Sequence, residues 1–103
     1  MIRHVVLFRF AEAVDEDRIA HILDGFSKLV EIVPGAVGVT GGPNVSPEGL
    51  DRGYMHGLVM DFETAQARDD YLAHPAHVSF SNGTVIPALE HGLDSVAVFD
   101  YEL

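Results

Sequence analysis

The segment Tyr71-Leu72-Ala73-His74-Pro75-Ala76-His77 puts a phenol and two imidazoles within seven residues. A neutral imidazole takes a proton near neutral pH, and a phenol donates a hydrogen bond to an oxygen that is gaining negative charge. Tyr71 and His74 are three apart and share one face of a helix. Tyr71 and His77 are six apart, so a continuous helix would place them on different faces. Pro75 removes that constraint. It disfavours helical geometry at His74 and can occupy the first turn of a new helix. The chain then folds back so that Tyr71 and His77 converge on one pocket. His77 falls in the first turn of the new helix, where the positive dipole end favours neutral imidazole, the form that accepts a proton. His4 and His56 each share a strand face with large apolar residues and are expected to line the same pocket from a sheet. The plainer assignment keeps the same residues as a helix corner, a histidine cap and core histidines bonded to neighbours.

Other chemistries fit less well. Zinc needs three or four ligands in tetrahedral geometry. His74 and His77 straddle a proline, and there is no cysteine, so no metal site is expected among His4, His56, His74 and His77. Gly41-Gly42-Pro43-Asn44 lacks the lysine and the glycine spacing of a phosphate-binding loop. No Ser/His/Asp arrangement stands out. His21 falls on the polar face of a helix, and His91 lies in a loop-like stretch.

The elements that must position these residues follow from hydrophobic period. Ile2 to Phe10 alternates, with apolar residues on both faces, as in a central strand covered on both sides. Ile19, Ile22, Leu23, Phe26, Leu29, Val30 and Val33 follow helical spacing between Asp15 and Val33, and Pro34-Gly35 ends that helix. Asp15, Glu16 and Asp17 put negative charge at its start. Ala36 to Thr40 is a short strand, broken by Gly41-Gly42-Pro43-Asn44. Tyr54 to Phe62 alternates again. Thr64 caps a helix from Ala65 to about Ala73. A second helical stretch follows Pro75, with weak points at Asn82-Gly83 and Pro87, and Val96 to Tyr101 is the last strand. The order βαββαβ predicts an α+β, ferredoxin-like fold, with one antiparallel sheet and helices on one face. The uncovered face needs a partner. A second copy is the simplest, and two sheets packed face to face make a dimeric α+β barrel.

Composition sets the outer limits. The chain has 103 residues, read as one domain, 1–103. Its 48% hydrophobic content argues against disorder. Six Lys/Arg against sixteen Asp/Glu give a charge of −10, which repels phosphate backbones and anionic membranes, so neither nucleic acid nor membrane is an expected partner. Arg3, His4 and Arg9 interrupt the first apolar run, unlike a signal peptide, and no stretch reaches the ~18 apolar residues of a membrane span. A cytoplasmic protein is the expectation.

Four ordered segments resemble the stress-responsive α/β-barrel (Dabb) family. They are Ile2-Arg3-His4-Val5-Val6-Leu7-Phe8; Gly42 to Leu50 followed by Gly53-Tyr54-Met55-His56; Tyr71 to His77, which is the family's central signature; and Val98-Phe99-Asp100-Tyr101. The resemblance implies a ferredoxin-like chain that dimerises into an α+β barrel. One plant branch is a polyketide cyclase that performs an intramolecular aldol condensation. Its catalytic tyrosine and histidine match Tyr71 and His77, and its two strand histidines match His4 and His56. Two departures stand out. Plant members usually have an aromatic residue where this chain has Gly41, and the stretch Val78 to Ser95 is longer than usual, so the pocket is expected to differ in shape.

The reading that combines these points is a homodimeric, small-molecule-binding stress-response protein that performs acid/base chemistry, aldol-type cyclisation or lyase, on a carbonyl or polyketide-like substrate. Tyr71 and His77 are its catalytic pair, His4 and His56 bind substrate, and no cofactor is required. The alternative is a non-catalytic stress-response or ligand-binding dimer in which the same residues pack and line the pocket.

Overall fold

In the computed structural model, which describes residues 1–103, the elements follow the order β1 (Ile2–Phe8), α1 (Glu16–Ile32), β2 (Ala36–Pro43), β3 (His56–Phe62), α2 (Ala65–Ala73), α3 (Pro75–Phe80) and β4 (Val96–Glu102). The four strands form one antiparallel sheet in the order β2-β3-β1-β4. This is the ferredoxin-like α+β arrangement expected from the order of periods.

Local chemistry explains most of the boundaries. The Asp15 carboxylate accepts from the Arg18 amide at 2.8 Å and caps α1. The helix buries Ile19, Ile22, Phe26 and Leu29 against the sheet. Thr64 caps α2 in the same way, accepting from the Ala67 amide at 3.1 Å. Phe10 falls outside β1 and makes only an isolated bridge to Leu89. β2 continues to Pro43 through the glycines that were expected to end it. A Cβ at Gly41 would lie 2.7 Å from the Gly57 carbonyl oxygen, so the missing side chain lets β2 stay paired with β3. After α3 the chain does not break at Asn82-Gly83. It widens into a π-type turn over Ser81–Val85 and tightens into a 3-10 turn over Ile86–Ala88.

The core lies between the helices and one sheet face. Ile2, Val6, Phe8, Leu58, Met60 and Phe62 meet Ile22, Phe26, Leu29 and Tyr71 there. β1 is central in strand order, but the chain covers only one of its faces. On the other face Leu7 and Tyr101 are exposed and Phe99 is 69% exposed. Register places Val5 opposite Phe99 and Leu7 opposite Ala97, so these residues form a continuous apolar strip. At one end of the strip Arg3 donates from Nε and Nη2 to the two Asp61 oxygens, both at 2.9 Å.

Candidate functional site

The register of β1 with β4 sets His4 opposite Asp100 on the helix-facing side. His4 Nδ1 lies 2.6 Å from Asp100 Oδ1. An ionised carboxylate only accepts, so Nδ1 is the donor. Arg68 of α2 donates from Nη1 to the other Asp100 oxygen at 2.9 Å and from Nε to Asp69 at 2.9 Å. One carboxylate therefore ties together β1, β4 and α2. Neither Asp100 nor Arg68 stood out from the sequence, although placing β1 beside β4 would have aligned Asp100 with His4.

Tyr71 is buried in the last turns of α2. Its ring centroid lies 5.1 Å from that of Phe62, 6.2 Å from that of His4 and 4.3 Å from that of His77. Burial pushes its hydroxyl well above the usual phenol range, so at neutral pH it is a hydrogen-bond donor rather than a phenolate. His74 makes the corner that brings Tyr71 and His77 together. Its backbone is extended, at φ −64° and ψ 133°, as a residue before proline prefers. Its amide donates to the Tyr71 carbonyl at 3.1 Å and ends α2. Its Nδ1 accepts from the Ala76 amide at 3.0 Å and starts α3. The histidine cap is thus His74 rather than His77.

His77 Nδ1 lies 3.2 Å from the Leu72 carbonyl oxygen. A carbonyl can only accept, so Nδ1 carries the hydrogen and Nε2 keeps its lone pair. The His77 pKa is lowered, mainly by burial and further by the neighbouring His4 and His74, against an opposing contribution from the Leu72 carbonyl. The neutral imidazole expected from the helix start is favoured here, but burial is the leading cause.

Tyr71, His77, His4, Arg68 and Asp100 line a cavity of about 440 Å³ between the helices and the sheet. It also takes in Phe8, Phe26, Val85 and Leu89. His4 and Phe8 are four residues apart on β1, so the cavity runs about 13 Å along that strand. Its polar groups cluster at the His4 end. The stretch expected to alter the pocket does form part of its wall, through Ser81, Val85, Ile86, Leu89 and Leu93.

His56 does not line this cavity. Antiparallel register sets it opposite Phe8, whereas His4 stands opposite Met60. The alternation places both histidines on one sheet face, but at opposite ends of it. His56 Nε2 lies 3.1 Å from Glu16 Oε2, at a separate cavity of about 340 Å³ between α1 and β2. Gly41 borders that second cavity rather than the one at Tyr71. No group of three or more His, Asp or Glu side chains is placed to hold a metal ion. No helix is long and apolar enough to cross a membrane.

Comparison with known proteins agrees with this fold. Residues 2–103 match the Stress responsive A/B Barrel Domain (Dabb) family. Stress-response A/B barrel domain-containing protein HS1 of Arabidopsis thaliana is 35% identical over 101 residues, covering 98% of this chain and 88% of that protein. Olivetolic acid cyclase of Cannabis sativa is 28% identical over 100 residues, covering 97% of this chain and 94% of the cyclase. A dimeric ferredoxin-like protein of unknown function from Jannaschia sp. CCS1 superposes with a TM-score of 0.86 at 26% identity, over 99% of this chain and 98% of the other.

Proposed function

The chain belongs to the stress-responsive A/B barrel domain family, and on that premise we propose that it is a single-domain, cytoplasmic homodimer that binds a small carbonyl compound and performs acid/base chemistry on it. The observation that carries the reading is the Tyr71–His77 pair, with ring centroids 4.3 Å apart, on the wall of a largely apolar cavity. Neutral His77 removes a proton next to the carbonyl through Nε2. The Tyr71 hydroxyl donates to the carbonyl oxygen as negative charge develops on it. The low polarity of the surrounding wall strengthens that hydrogen bond. His4 lies beside the pair and contacts the substrate's polar end, while Phe8 and Phe26 receive an apolar tail. His56 lies outside this arrangement. The enolate carbon then bonds to a second carbonyl carbon of the same molecule, whose C=O π bond breaks and whose oxygen takes the proton back from His77, giving a cyclised aldol adduct. The reverse sequence breaks that C–C bond, as in a lyase reaction. The likeness to olivetolic acid cyclase supports the cyclase direction.

The test is turnover of enolisable poly-β-carbonyl compounds by purified protein, alongside Tyr71→Phe. Wild type converts at least one of them. Tyr71→Phe keeps its packing and loses roughly 10²–10³ in rate, the range for one oxyanion donor. Binding of these compounds without conversion by wild type would leave the non-catalytic ligand-binding dimer as the function.

A further inference from the structure

We propose that Arg68 and Asp100 are positioning residues that lock His4 in its Nδ1–H tautomer, so that Nε2 is the nitrogen His4 offers to a ligand. The inference rests on reading the cavity as the reaction site. Each Asp100 oxygen has one partner, His4 Nδ1 at 2.6 Å and Arg68 Nη1 at 2.9 Å. Arg68 is held from its other edge by Asp69 at 2.9 Å. The carboxylate therefore has little freedom to turn, and its place opposite His4 is fixed by the β1–β4 ladder. His4 is itself only 5% exposed. The groups that face it are Asp100 from β4, Arg68 and Tyr71 from α2, and His77 from α3. β3 contributes only uncharged neighbours, Met60 opposite His4 in register and Phe62 at a ring-centroid distance of 6.2 Å. Asp100 is the one acceptor bonded to its Nδ1.

A chemical requirement on the ligand follows. His77 is held in the same tautomer by the Leu72 carbonyl. In their neutral forms the two imidazoles offer Nε2 lone pairs, and Tyr71 offers one hydrogen. A matching ligand brings an acceptor oxygen for Tyr71 and a hydroxyl or enol hydrogen for His4. A simple ketone without that second group would leave the buried His4 nitrogen unsatisfied, at a cost in affinity.

The ring nitrogens of His4, assigned with His4→Gln and read by ¹⁵N NMR at pH 8, test this without any substrate. Wild type shows the hydrogen on Nδ1. Asp100→Asn, whose amide can donate to the ring, shifts His4 toward the Nε2–H form. Arg68→Gln shifts it part of the way, and Arg68→Lys restores it. With a converted substrate, Asp100→Asn lowers kcat at least about 10-fold; a wrong histidine tautomer can cost far more. Wild-type His4 with its hydrogen on Nε2 would overturn the inference, and so would an unchanged tautomer in folded Asp100→Asn. The wild-type spectrum decides the matter even if the variants do not fold. Absence of turnover beside an Nδ1–H His4 would sink the reaction-site reading and leave the His4 assignment standing.

Discussion

At the scale of single residues, the site depends on which imidazole is neutral and why. His77 is held below its ordinary pKa, chiefly by burial. The unfolded chain, with histidine near 6.5, therefore takes up a proton before the folded chain does. Stability linked to His77 is intact above about pH 6.5 and is lost as pH falls from there toward the lowered folded value. The acid limb of the rate profile should likewise lie below about pH 6.5. Thermal melts and rates measured between pH 5 and 8 check both. An acid limb above pH 6.5 would contradict the neutral-base assignment. Histidine types and spacing drew attention to the pair, but the cause of neutrality was not legible in them. It depends on how the folded chain buries the ring, in a cavity that Ser81 and Val85 also line.

At the scale of elements, the α2–α3 corner does the positioning. His74 ends one helix with its backbone and starts the next with its side chain. His74→Ala removes the acceptor for the Ala76 amide and should cost about 1 kcal/mol, the usual loss for a helix cap. Chemical denaturation measures it, and an unchanged midpoint would show that the cap contributes nothing. The corner was readable because Pro75 restricts its predecessor in a known way. Strand order was readable from the βαββαβ sequence of periods. The end of the sheet at which His56 lies was not, because alternation fixes a side chain's face and leaves its position along the partner strand to register. β2 also outran its glycines, because backbone pairing with β3 favours residues without a Cβ at Gly41. The Asp100 contact escaped for the same reason as His56: a carboxylate in a terminal strand gains meaning only from the residue opposite.

At the scale of the whole molecule, the bare sheet face and the cavity lie on opposite sides of β1. The strip of Val5, Leu7 and Phe99 is the face a second copy would cover, and the Jannaschia protein of the same fold is dimeric. Light scattering should give twice the 11.2 kDa chain mass at micromolar concentration. Phe99→Asp should shift the protein toward monomer and lower its melting temperature, since folding and an obligate interface are coupled. A stable wild-type monomer would remove the barrel. Because the cavity sits on the helix side, catalysis can be tested in an intact dimer by changing His77 alone. The deciding measurement is conversion of a bound carbonyl substrate by wild type and His77→Ala, with affinity and oligomeric state measured for both. The account predicts that His77→Ala stays dimeric, binds within a few-fold of wild type and does not convert the substrate. Conversion by His77→Ala at the wild-type rate would contradict it.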